Sequence, residues 1–180
     1  WRSPRIEGYC SETSVSAGDA LKVMVSTNPV SEFSLEIFRT GYYDGSGGRF
    51  MKRFDSIQGK TQADPAIGEN RLRECTWEPS VEFEIPDDWL SGVYLGKLTA
   101  KKEGVQSYVI FIVRDERPCD LLFQCSDTTW ACYNSWPTNE WSLYHNDKNG
   151  YTGHLGRKKW STDANDTGWV SFDRPYGQYC

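Results

Sequence analysis

The side chains with chemistry to offer gather in the last third of the chain. Cys125 follows the apolar run Leu121–Phe123 and precedes Ser126-Asp127, where a nucleophile elbow would place its nucleophile. Its neighbours Gln124 and Ser126 are not the glycines that so sharp a turn needs, so the thiol reads as structural rather than catalytic. His145 and His154 stand in polar sequence with neither i+4 spacing nor a carboxylate at a ligand offset, and read as solvated loop histidines. Tyr133 is better placed. It sits on Thr128–Asn134, a stretch able to make two helical turns, where it shares a face with Thr129 and Trp130, with Trp136 beyond. Tyr176 follows Arg174-Pro175, whose rigid backbone would aim it. Two tyrosines suit a hard cation such as ferric iron, because a phenol ionises near pH ~10 unaided and becomes a neutral-pH ligand only beside a strong Lewis acid. Aromatic core packing is the competing reading.

These residues need a scaffold, and residues 117–180 begin one. A short apolar run followed at once by turn residues and a helix is how a buried parallel strand hands over to its helix. In open α/β sheets, ligands gather past the carboxyl ends of such strands. The charged run Arg114–Arg117, closed by Pro118, marks a boundary and divides the chain into 1–116 and 117–180. Beyond the helix, Trp141, Tyr144, Tyr151, Trp160, Trp169 and Tyr179 have little aliphatic company. Such a tail builds no core alone, and an α/β domain needs several strand–helix units. The expectation is an incomplete α/β domain, completed by the remainder of its own chain or by neighbouring chains in a homo-oligomer or assembly.

Residues 1–116 read differently. Leu21, Val23 and Val25 alternate with Lys22, Met24 and Ser26; Phe33, Leu35 and Ile37 alternate with Ser34, Glu36 and Phe38; Val81, Phe83 and Ile85 alternate with Glu82 and Glu84. This is the period of strands with one face in a core. Gly41, Gly45, Gly47 and Gly48 mark a turn into a strand at 49–54, and Gly104 takes a positive φ in a hairpin joining 94–100 to 106–113. Short strands without helices predict a β-sandwich. Trp89-Leu90-Ser91-Gly92-Val93-Tyr94 looks like the corner at which a tyrosine hydroxyl bonds back to upstream backbone. Gly96 then stands where an antibody domain carries its second core cysteine. The predicted architecture is therefore mainly β: an immunoglobulin-like sandwich without its inter-sheet disulfide, then the first strand–helix unit of an α/β domain.

Hydrophobic content of 38% with 25% charged residues supports a packed core. A net charge of −5, with no basic cluster beyond Arg157–Lys159, leaves nucleic acid without an electrostatic footprint. No apolar run approaches the ~20 residues of a membrane span. Six cysteines and the glycosylation sequon at Asn165 point to an extracellular or secreted protein, and a chain opening on Trp1 reads as a mature or excised piece. Cys10 is expected to pair with Cys75, stapling the long excursion Gln58–Pro79 to the first strand. Cys119 and Cys125 cannot bond along a regular strand, where six residues span ~20 Å against a Cα limit of ~7 Å. Cys132 and Cys180 remain as their partners, in an order left open.

Five segments together suggest a family: Ile6-Glu7-Gly8-Tyr9, FSLEIFRTGYY (Phe33–Tyr43), SGVYLGKL (Ser91–Leu98), SDTTWACYNSW (Ser126–Trp136) and FDRPYG (Phe172–Gly177). They resemble the C-terminal region of the N,N-dimethylformamidase large (beta) subunit and its relatives. The resemblance implies a sandwich leading into a glutamine-amidotransferase-like α/β domain. It further implies one iron ion, held by two tyrosines and a glutamate, that hydrolyses a small formamide. Tyr133 in TWACYN and Tyr176 in DRPY match the tyrosines, with Tyr144 as fallback; no residue here matches the glutamate, so this piece alone is expected to be inactive. The alternative is a secreted, disulfide-stapled structural or binding module of an extracellular assembly, with no catalysis.

Overall fold

The alternating segments form strands. The computed structural model describes residues 3–66, 72–134, 136–137 and 169–170. In chain order it contains β1 (Glu7–Cys10), β2 (Ser14–Val15), β3 (Ala20–Ser26), β4 (Phe33–Thr40), β5 (Gly48–Ile57), β6 (Leu72–Arg73), β7 (Pro79–Glu84), β8 (Gly92–Ala100), β9 (Gln106–Val113), α1 (Asp127–Tyr133) and β10 (Trp169–Val170). The chain is mainly β, and α1 is the lone α-helix among the described residues, none of which is in a helix long and apolar enough to cross a membrane. One sheet has the order β1-β3-β7, a second β2-β9-β8-β4-β5, and β6 pairs with β10. Pairing is antiparallel except at β2–β9 and β6–β10.

The two larger sheets share one core. Cys10, Val23, Val25, Val81 and Phe83 from the smaller meet Leu35, Ile37, Tyr94, Leu98, Val109 and Phe111 from the larger. Burial of such side chains contributes about 1.5–3 kcal/mol each. Gly96 lies inside this contact: a Cβ there would sit 2.7 Å from Val109 Cγ2 and 2.9 Å from Leu35 Cδ1. Only glycine lets the β8 backbone come this close. Near the start of β8, Tyr94 stacks between Trp89 (4.9 Å) and Phe111 (5.4 Å), and its hydroxyl donates to the Leu90 carbonyl at 2.7 Å. The corner expected at Tyr94 is thus present, as is the positive φ at Gly104 (66°).

The small sheet is covered on its other face as well. Tyr9, Met24, Cys75, Trp77 and Trp136 form a second buried cluster there. Met24 and Ser26, which alternation alone turns toward solvent, are buried for this reason. The excursion after β5 supplies part of the cover and is fastened by polar contacts. Gln62 donates through Nε2 to the Val25 (2.9 Å) and Glu78 (3.0 Å) carbonyls and accepts the Glu78 N–H at 2.7 Å. Trp77 donates its indole N–H to the Ala63 carbonyl at 2.7 Å.

Two expectations are corrected here. Cys10 and Cys75 do not bond: Cys10 is a buried free thiol facing the core between the sheets, whereas Cys75 lies in the cluster on the opposite face of β1. Successive residues of a strand point to opposite faces, so Tyr9, not Cys10, reaches the Cys75 segment. Second, Leu121–Phe123 is not a strand. Residues 114–126 carry neither strand nor helix, and Leu121, Leu122 and Phe123 are 88%, 91% and 84% exposed. A parallel strand needs neighbours to pair its backbone, and none among the described residues lies beside this run.

Candidate functional site

The site begins with α1. Trp130 N–H donates to the Ser126 carbonyl at 3.1 Å, opening the helix one residue ahead of the expected Thr128. Ser126 makes no side-chain cap; Asp127 Oδ1 instead accepts the Thr128 N–H at 2.9 Å, putting a negative charge on the helix's first turn. Ala131 is buried while Thr129 and Tyr133 are exposed, so Tyr133 and Thr129 do share an outward face. Tyr133 is 47% exposed, its phenol at the last helical residue.

Trp136 does not continue that outward face. The chain turns at Asn134, whose N–H donates to the Ala131 carbonyl (3.2 Å) and whose Oδ1 accepts the Trp136 N–H (3.1 Å). The Trp136 ring then enters the cluster on the small sheet, edge-on to Trp77 at 5.9 Å. Its indole N–H donates to Glu7 Oε1 at 3.1 Å, joining residues 129 apart in sequence. Tyr9 braces the same cluster: its hydroxyl donates to the Cys75 carbonyl (3.2 Å) and accepts the Trp77 N–H (3.3 Å). Glu7, only 4% exposed, was not foreseen; its neighbours Ile6 and Gly8 suggest an ordinary outward charge.

Cys10 and Cys125 lack the character of nucleophiles. Burial, then the nearby negative charge of Asp127, pushes the Cys125 thiol up from its ordinary range, the wrong direction for a thiolate. Burial alone raises Cys10 to about 12. Cys119 is exposed, and both Cys119 and Cys125 are free, so neither has a bridge. Among the described residues no group of three His, Cys, Asp or Glu side chains could hold a metal. Tyr133, about half exposed, is a donor suited by its chemistry to a hard cation. Tyr176, Tyr144, His145, His154, Cys180 and the Asn165 sequon lie outside the described residues, as does the Cys132 side chain.

Two open grooves elsewhere carry ion pairs. One holds Glu32 with Lys101 at 2.6 Å and Arg53 with Asp55 at 2.8 Å; Lys101 keeps the Glu32 carboxyl below its usual range. The other includes Asp115, ion-paired with Arg117. Neither is lined by α1. The FRTGYY and SGVY segments also have structural work: Arg39 donates through Nε (3.2 Å) and Nη2 (2.6 Å) to the Ser91 carbonyl and through Nη1 to the Tyr43 hydroxyl. Thr40 Oγ1 adds a bond to the Val93 carbonyl at 2.9 Å.

A two-sheet β body carrying a short helix with an exposed tyrosine is the class this arrangement defines. Residues 34–179 match the family described as N,N-dimethylformamidase beta subunit-like, C-terminal, and the chain belongs to that family. The match takes in FRTGYY, SGVYLGKL, TTWACYN and DRPYG, whereas Ile6–Tyr9 lies ahead of it. No curated protein sequence matches the chain.

Proposed function

We propose that this chain is part of a metal-dependent amide hydrolase acting on a small amide, and that Tyr133 is one ligand of a single iron ion, with Tyr176 the second. The observation that carries the reading is Tyr133 itself: a half-exposed tyrosine at the end of a helix that Asn134 and Trp136 join to the β body. Family membership supports the relation to amide hydrolysis. The finer architecture belongs to the same proposal, an immunoglobulin-like sandwich feeding a glutamine-amidotransferase-like α/β domain. The two sheets around one core and the Tyr94 corner favour it.

Iron bound there would supply Lewis acidity, polarising an amide carbonyl and acidifying a water. Tyr133 would give up its phenolic proton on binding and fix the cation relative to α1. The exposed Leu121–Phe123 run favours completion of the site by the rest of an α/β domain or by neighbouring chains of an assembly, because apolar surface of this kind marks a covered face.

The test is Tyr133→Phe in the full-length protein loaded with iron. The expected result is loss of a tyrosinate-to-iron absorption band, with a fall in amide hydrolysis beyond the about 100-fold typical of outer-shell changes. Full activity with an unchanged band would sink the proposal.

A further inference from the structure

We infer that Glu7 is a positioning residue for Tyr133, acting through Trp136; this rests on the reading of Tyr133 as a site residue. A helix of seven residues has little stability of its own, since isolated helices below ~12–15 residues are marginal in water. The place of α1 must therefore come from what it is tied to. Among the described side chains of the segment, the inward Ala131 is small and Trp136 is the large buried group. From Trp136 the restraint runs back through Asn134, which bonds both the Trp136 N–H and the Ala131 carbonyl, to the residue adjoining it, Tyr133.

At the other end Trp136 meets Glu7. Packing against Trp77 fixes the ring's plane within limits, but an indole can slide or flip against an apolar wall. The hydrogen bond from its N–H to Glu7 Oε1 removes that freedom, because the bond is directional and an indole has a single donor. Glu7 is itself set in β1, whose residues pair with β3 from Glu7↔Ser26 to Cys10↔Val23. An apolar residue at position 7 would fill the space and leave the buried indole N–H without this acceptor. Glutamate here makes orientation, rather than burial, the property that reaches α1. The strand that performs this lies outside the span matched by the family, so the body ahead of residue 34 acts on the helix bearing the tyrosine.

The experiment uses the full-length, iron-loaded protein with Glu7→Ala, Glu7→Gln and Tyr133→Phe, read by amide hydrogen exchange and by the tyrosinate absorption band. The expected result for Glu7→Ala is exchange faster by about tenfold or more at α1 amides, with β4 and β8 unchanged, and a shifted band. Glu7→Gln keeps an oxygen acceptor and restores both. Unchanged α1 exchange in Glu7→Ala overturns the inference, as does equal acceleration in α1 and β8, which would make Glu7 a general structural residue. A band lost in Tyr133→Phe but unmoved in Glu7→Ala overturns the positioning role alone. A band retained in Tyr133→Phe overturns the Tyr133 reading and the positioning role with it.

Discussion

The Tyr94 corner and the α1 segment both rest on aromatic rings, and they are held in different ways. At the corner, Trp89, Tyr94 and Phe111 stack within the core shared by both sheets, and Trp89 also meets Phe83 of the small sheet. Around α1, the ring of Trp136 joins the segment to the small sheet, while Leu121, Leu122 and Phe123 stand exposed. The first region is stabilised by many mutually supporting contacts. In the second, the packing of Trp136 and its bond to Glu7 join α1 to the β body, so its geometry is sensitive to them.

The largest effect should come from truncating a ring at the corner. Phe111→Ala removes a fully buried side chain that stacks on Tyr94 in the shared core, and is expected to cost about 3–5 kcal/mol by denaturant unfolding. Loss of structure should be cooperative across both sheets, because they share the cavity so made. A cost below about 1 kcal/mol, the range of an unremarkable surface site, would mean that the corner is no tighter than the α1 region.

That contrast also explains what was legible beforehand. Strands with one covered face announce themselves by period-two alternation, and Tyr94, Gly96 and Gly104 each carry a local requirement: a hydroxyl four residues from its acceptor, a close approach, a positive φ. The second cover of the small sheet left no such trace. Met24 and Glu7 look outward until the segments of Trp77 and Trp136, far along the chain, arrive over them. An even number of cysteines suggested pairing, but parity says nothing about faces, and Cys10 and Cys75 lie on opposite sides of β1. Leu121–Phe123 has a strand's composition without a strand's partners, and composition cannot supply partners. The helical, outward place of Tyr133 is legible from spacing; the packing of Trp136 beyond it is long-range and leaves no local trace.

A smaller effect should separate the thiols by pH. Burial raises Cys10 to about 12, so its neutral form is favoured in the folded state. An acid whose folded pKa is raised stabilises the fold fully below its unfolded value, about 8.5, and loses that contribution as pH climbs toward 12. By pH 10 the loss should be about 1–2 kcal/mol, and Cys10→Ala should abolish this part of the alkaline slope whatever its own cost at neutral pH. Alkylation at pH 8 should label exposed Cys119 and spare Cys10 until the protein unfolds. Equal labelling of the two would contradict the burial of β1.

The smallest effect is expected at the apolar run itself. Leu122→Ser in the isolated chain should change stability by no more than about 0.5 kcal/mol, because a side chain already in water loses no burial. Against Phe111→Ala, the same kind of apolar deletion then differs solely in what surrounds the residue. The comparison sharpens when the partner surface is present. If the remainder of an α/β domain or a neighbouring chain covers the run, Leu122→Ser in the assembled protein should cost about 1.5–3 kcal/mol, the worth of one buried leucine, measured as weakened association or earlier unfolding. An equally small effect in both settings would show that the run stays exposed, and that the segment leading into α1 is guided by Trp136 and Glu7 without any cover.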